Sequence, residues 1–215
     1  MKLLKTLSLT CLICLVSVSA AAQQQASKQG SLGPDKLLSL GDFYFRSNDI
    51  SDAADRYYQQ AIRSAPGSQT AGHAQYNRGS YWFRKFYVLK EQYSKADRSA
   101  LSEAEKQYYD FIVKFAKETN TVGLLADAEF YLALVYLEQG KRDYAVGWLN
   151  RMIAEAVKED SSVYVYKVVW SSKPEDIVDR SVNAAQLAGY ARQAIQKGGN
   201  ADAVVLDIKR WCQRQ

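Results

Sequence analysis

Along most of the chain the apolar positions recur at three- and four-residue spacing, the period of one buried helix face. Leu37, Leu38, Gly41, Tyr44 and Phe45 open the pattern just after Pro34-Asp35. Ser47-Asn48-Asp49 interrupts it, and Ala53, Ala54, Tyr57, Tyr58, Ala61 and Ile62 resume it as far as Ala65-Pro66-Gly67. Two helices this close in sequence fold back on each other as a hairpin. A third helix is predicted from Ala71 to about Tyr93, with Ala74, Tyr76, Gly79, Trp82, Phe83, Phe86 and Leu89 inward. A fourth is predicted from Ser102, where Ser102 and Glu105 have the spacing of a capping box, and it presents Tyr108, Phe111, Ile112 and Phe115. The basic stretch between Lys90 and Ser102 is either a helical extension or a protruding loop. Ala126 to Glu138 predicts a fifth helix, striped by Ala126, Phe130, Leu134 and Leu137. Gln139-Gly140 then turns the chain into a sixth, with Tyr144, Ala145, Trp148, Leu149, Met152 and Ile153 on its returning face.

Beyond Ile153 the period changes. Ser162 to Trp170 is rich in β-branched and aromatic residues that favour strands, and both an extended segment lying on the helices and a short helix fit it. Ser171 to Glu175 has the character of a turn and helix start, Pro174 suiting a first turn. The predicted helix buries Ile177, Val178, Ala184, Ala185, Ala188, Ala191 and Ile195 and stops at Gly198-Gly199. Asn200 caps a last helix carrying Ala201, Val204, Val205, Ile208 and Trp211.

The N-terminus changes the picture of compartment. Met1-Lys2-Leu3-Leu4-Lys5 is cationic, Leu7 to Val18 is mostly apolar, and Ser19 to Ala22 are small. That order is a secretory signal peptide over residues 1–22, and the apolar run falls short of the ~20 residues that span a bilayer. Gln23 to Pro34 lacks periodicity and is expected to be a disordered linker. The residues before Cys11 and Cys14 do not fit a lipoprotein signal. Cleavage removes both, leaving Cys212 alone, so no internal disulfide is available and Cys212 is expected to be a small buried hydrophobe. The formal charge of +5 includes Lys2 and Lys5; without them the balance is +3. That mild excess gives no reason to expect nucleic-acid binding. Three prolines and 15 tyrosines suit long helices packed through large side chains.

The helix pairs resemble the tetratricopeptide repeat. Leu40-Gly41, Tyr44, Ala54, Tyr58, Ala61 and Pro66 match its pattern with one extra residue in the turn. Leu132-Ala133, Tyr136, Gly140 and Ala145 match without a gap, Leu149 and Met152 replacing the usual aromatic and alanine. Tyr76-Asn77-Arg78-Gly79 and Trp82, then Ala104 and Tyr108 after the insertion, match in two halves. An unrelated helical bundle is the alternative. The resemblance implies an all-α fold, a right-handed α-α superhelix of helical hairpins over residues 35–158. Residues 159–215 would cap its last apolar face, which a solenoid needs. Tyr109-x-Phe111-Ile112-x-x-Phe115 is also similar to the periplasmic repeat proteins of outer-membrane barrel assembly and Tol–Pal function, although the lipidation cysteine usual in the assembly proteins is missing.

Chemistry is sparse in the sequence. His73 is the only histidine, so multi-histidine metal sites and the usual triads are not expected. No Gly-rich phosphate loop follows a strand, and no Glu-Ser pair of the lytic-transglycosylase kind occurs. Asp35, Asp42, Asp49, Asp52 and Asp55 are expected on solvated surface. We therefore expect no enzyme, no cofactor and no metal. The resemblance instead implies a peptide or protein partner, bound in the periplasm or outside the cell in a groove lined by first helices. Matched position by position, it places Arg46, Tyr76, Asn77, Arg84, Tyr131 and Glu138 there, with Leu38, Asp42, His73, Ser80, Asp127 and Leu134 beside them. Asn would pair with a peptide amide and Arg with a carboxylate. A structural accessory of an envelope complex, docking by an apolar edge, is the other function the pattern allows. Arg84, Lys85, Lys90, Lys95 and Arg98, interleaved with Tyr87 and Tyr93, form a basic run that is expected to be a solvated face or to meet an acidic surface.

Overall fold

The computed structural model describes residues 32–47, 50–94, 97–115, 122–159, 162–165 and 180–215. The leader, nearly all of the linker, Lys95, and the turn with Pro174, Ile177 and Val178 lie outside them. The fold is all-α. Among the described residues eight helices run in order: α1 (Pro34–Arg46), α2 (Ala53–Ser64), α3 (Gln69–Tyr93), α4 (Arg98–Lys114), α5 (Val122–Glu138), α6 (Arg142–Glu159), α7 (Ala184–Gln196) and α8 (Ala201–Arg214). Strands β1 (Ser162–Val165) and β2 (Arg180–Asn183) lie between α6 and α7. No helix among the described residues is long and apolar enough to cross a membrane.

Helix starts follow local chemistry. Ser68 accepts from the Ala71 amide (3.1 Å) at the head of α3, and Asn200 from the Ala203 amide (2.9 Å) at the head of α8. One predicted start is corrected. α4 begins at Arg98, where Asp97 accepts from the Ser99 amide at 2.9 Å, and Ser102 lies inside the helix with its hydroxyl donating to the Arg98 carbonyl. The basic stretch is thus helical extension on both sides, and α3 reaches 25 residues. A second correction concerns β2. The stretch expected to be helical before Ala184 includes a strand, with Val182 pairing Val163 in antiparallel register. Both valines are buried, so alternation rather than helical period governs here. Asn183 then caps α7, accepting from the Gln186 amide at 3.0 Å.

Each helix from α1 to α7 packs on its neighbours in sequence, and α1 also touches α3, as α3 touches α5. Two glycines permit the close crossings. A Cβ at Gly79 would stand 2.6 Å from the Tyr108 ring, and one at Gly41 would overlap the Tyr58 ring still more. Because the glycines let the rings pass, each phenol reaches the residue after its glycine. Tyr58 donates to Asp42 at 2.9 Å and Tyr108 to Ser80 at 3.1 Å. Leu37, Ala54, Tyr58, Ala61, Ala74 and Tyr81 form one apolar cluster, a larger one runs from α3 to α8, and Trp82 packs against both. Cys212 is fully buried in the larger cluster, and burial pushes its thiol up to about 12.

α5 holds the centre. Every residue from Ala126 to Leu137 is buried, because α3, α4, α6, β1 and α8 all touch this helix.

Candidate functional site

The six residues expected to line a groove have different fates. Tyr131 is fully buried, its ring stacked on Tyr108 at 6.0 Å. Tyr76 is buried and donates to Asp127 Oδ2 at 3.0 Å. Burial first, and the Asp127 charge second, hold its phenol well above the ordinary range. Arg84 is buried and donates to the Phe45 carbonyl, with its guanidinium 5.1 Å from the Phe45 ring centre. Glu138 accepts from Tyr87 at 2.8 Å and pairs with Lys90 at 3.0 Å. Asn77 is half-buried and donates to Asp42 Oδ1 at 2.9 Å. Arg46 alone of the six is exposed.

Four of the five inward residues fasten first helices to one another. Asn77 and Arg84 join α3 to α1, and Tyr76 and Glu138 join α3 to α5. Leu134 and Asp127 are buried in α5 as well. The basic run behaves likewise: Lys85 pairs with Asp52 at 2.6 Å, and Lys90 bridges Glu138 of α5 and Asp202 of α8. Three acids expected on solvated surface are fasteners too. Asp55 is buried and accepts from Arg78 Nε (2.7 Å), Trp82 Nε1 (3.2 Å) and Gln59 Nε2 (2.6 Å). Asp52 accepts from Tyr81 at 2.7 Å, and Asp42 from Tyr58 and Asn77.

Two open surfaces lie among the described residues. The first is a recess of about 540 Å³ along α1, lined by Ser39, Asp42, Phe43, Arg46 and Ser47. Phe43 is 64% exposed there. Tyr58 and Asn77 both donate to Oδ1 of Asp42, which fixes the carboxyl in the recess wall. Burial raises this carboxyl above its ordinary range despite those donors and the Arg46 charge.

The second is a cleft of about 430 Å³ on α6, lined by Asp143, Tyr144, Gly147, Trp148 and Arg151. Tyr144 is 64% exposed, and Tyr109 and Val113 of α4 are exposed nearby, Tyr109 edge-on to Trp148 at 6.4 Å. The Arg151 guanidinium lies 5.1 Å from the Trp148 ring centre. Its Nε meets Glu129 Oε1 of α5 at 2.8 Å and Glu155 Oε1 at 2.9 Å. Glu129 is 1% exposed, and burial together with the Glu155 charge pushes its carboxyl up, against the pull of Arg151. The spacing of Tyr144 and Trp148 predicted a buried returning face; Trp148 is half-buried, but Tyr144 lies open, a correction to that expectation. Among the described residues no three His, Cys, Asp or Glu side chains converge as a metal-ligand set.

Fold and surfaces together define an all-α protein of sequentially packed helices, with one open recess on its first helix and one aromatic cleft on its sixth. No family model matches the chain, and no curated protein or solved structure matches it.

Proposed function

We propose that the mature chain is an exported, non-catalytic adaptor of the tetratricopeptide type, a right-handed superhelix that receives a peptide or protein partner in the bacterial envelope. The observation that carries this is the recess on α1, where Phe43 and Arg46 stand open beside Asp42 while Tyr76, Arg84, Tyr131 and Leu134 of the later first helices are buried. The packing of α1 on α3 and α3 on α5 supports the repeat. So do the Gly41–Tyr58 and Gly79–Tyr108 crossings. An exposed ring beside a carboxylate and a guanidinium can take an apolar side chain and hydrogen-bond the strand that bears it.

A second reading, a structural accessory docking by an apolar edge, is favoured by the exposed Tyr109, Val113 and Tyr144. A photoreactive residue at position 43 or 144 of the full chain, crosslinked in intact cells, separates the two. Adducts at 43 that vanish with Arg46→Glu support the groove adaptor. Adducts confined to 144 support edge docking, and absence of both defeats either. Export is checked by fractionation: full-length protein with Met1 intact in the cytosol would refute it.

A further inference from the structure

Glu129 sits in the middle of the most enclosed helix, and its described partners all belong to α6. A buried carboxyl that serves only to fasten helices meets a cation that is itself sealed, as Asp55 meets Arg78, whose side chain is 16% exposed. Arg151 keeps 45% of its side chain exposed. Nε donates to Glu155 and stands 2.8 Å from Glu129 Oε1 as an ion pair, and among the described residues Nη1 and Nη2 donate no hydrogen bond. Two carboxyls and the Trp148 ring therefore hold the guanidinium in place while nearly half of the side chain stays open to solvent. A rigidly supported donor pair at a surface is the usual construction of a recognition group.

The cleft beside it is also kept open. Gly147 lies inside α6, where glycine weakens a helix, and a Cβ there would meet nothing within 4 Å. Neither packing nor backbone conformation asks for glycine. Its effect is to leave room between Tyr144 and Arg151.

We propose that this cleft binds a peptide carboxylate, gripped by Nη1 and Nη2 of Arg151, with a bulky apolar side chain of the same peptide lying over Gly147 against Tyr144 and Trp148. Two coplanar donors match two coplanar oxygens, and an aromatic-lined cleft takes an apolar group. Phosphate fits less well because the Glu155 carboxylate already stands 2.9 Å from Arg151 Nε and repels a dianion more strongly than a single carboxylate. The site gives the outer face a defined ligand chemistry and stands apart from the recess on α1.

The test uses the full chain labelled with 15N, following the Trp148 indole N–H resonance, assigned by its loss in Trp148→Phe. N-acetyl-phenylalanine should shift this resonance, and its carboxamide should bind at least tenfold more weakly. Arg151→Gln should abolish the difference, and Arg151→Lys, which keeps charge but not the fork, should recover only part of it. Gly147→Leu fills the cleft while leaving both Arg151 and Glu129 in the chain and should block both compounds, which keeps the test decisive if Arg151→Gln proves unstable. Equal response to acid and amide, no response to either, unchanged binding in Gly147→Leu, or phenyl phosphate binding as tightly as the carboxylate would each overturn the proposal. Arg46→Glu leaves this titration unchanged, so failure here is separable from failure of the recess.

Discussion

Asp55 and Glu129 are both acids sealed inside the helix array, and the two regions around them use that burial differently. Around Asp55 every partner comes from α2 or α3 and is itself largely covered, so the carboxylate closes a polar knot between two helices. Around Glu129 the principal partner is half in solvent, and a second carboxyl crowds the same nitrogen. The first arrangement ties two helices together through one covered carboxyl. The second raises the carboxyl's affinity for a proton and leaves its guanidinium partner nearly half in solvent. Burial of a charge therefore does not report its purpose; the exposure of its partner does.

The largest effect that could break this comparison is at the closed knot. Arg78→Ala leaves Asp55 buried without its cation and should destabilise by about 3–5 kcal/mol, measured by urea unfolding. Arg151→Ala should cost about 1 kcal/mol, because its side chain is nearly half exposed and Glu129 can take up a proton. Equal losses would erase the distinction. Next in size is Gly79→Ala, expected to cost about 3 kcal/mol because the Tyr108 ring is fully buried and cannot swing aside. The same substitution at Gly41 should behave alike if the two crossings are equivalent.

Much of the helix pattern was legible in the sequence, since three- and four-residue spacing and the caps at Asn200 and Gly140 are local properties. What escaped was contact between units. Tyr76 and Asp127, or Asn77 and Asp42, look like surface polar residues taken singly. Each becomes a fastener only because the neighbouring first helix brings its partner within 3.0 Å. The groove assignment treated the first helices as bare on one side, whereas α5 is covered all round. Ser102 misled for the opposite reason: its capping-box spacing is real, but Asp97, a better placed acceptor upstream, captured the helix start. Strand β2 was hidden because Val182 has only Val163 to reveal its alternation.

Acidity gives the next test. Glu129 holds its proton in the folded protein at pH values where the unfolded chain, with an ordinary value of 4.5, has lost it. Its contribution to stability is thus fully present below pH 4.5 and fades as pH rises through the elevated folded value, about 8. Asp42, raised by burial, has the same sign. Asp52 has the opposite one. Burial would raise it, but the bonds from Lys85 and Tyr81 prevail, so its contribution is present above its ordinary 3.8 and lost in acid. The difference between wild type and Glu129→Gln isolates one group: between pH 5 and 9 wild type should lose about 2 kcal/mol relative to the variant. Parallel curves would mean that Glu129 stays ionised in the folded protein.

The smallest effect has the sharpest sign. Gly147→Ala adds a methyl group where nothing lies within 4 Å, and removing a mid-helix glycine should stabilise the protein by about 0.5–1 kcal/mol. The chemically identical change at Gly79 destabilises, because there the space is filled by Tyr108. A raised melting temperature at 147 beside a lowered one at 79 would show that the outer face forgoes helix stability which the inner crossing cannot forgo. Should Gly147→Ala instead destabilise, α6 must pack more closely there than its open cleft implies, and the distinction between inner and outer glycines would fall with it.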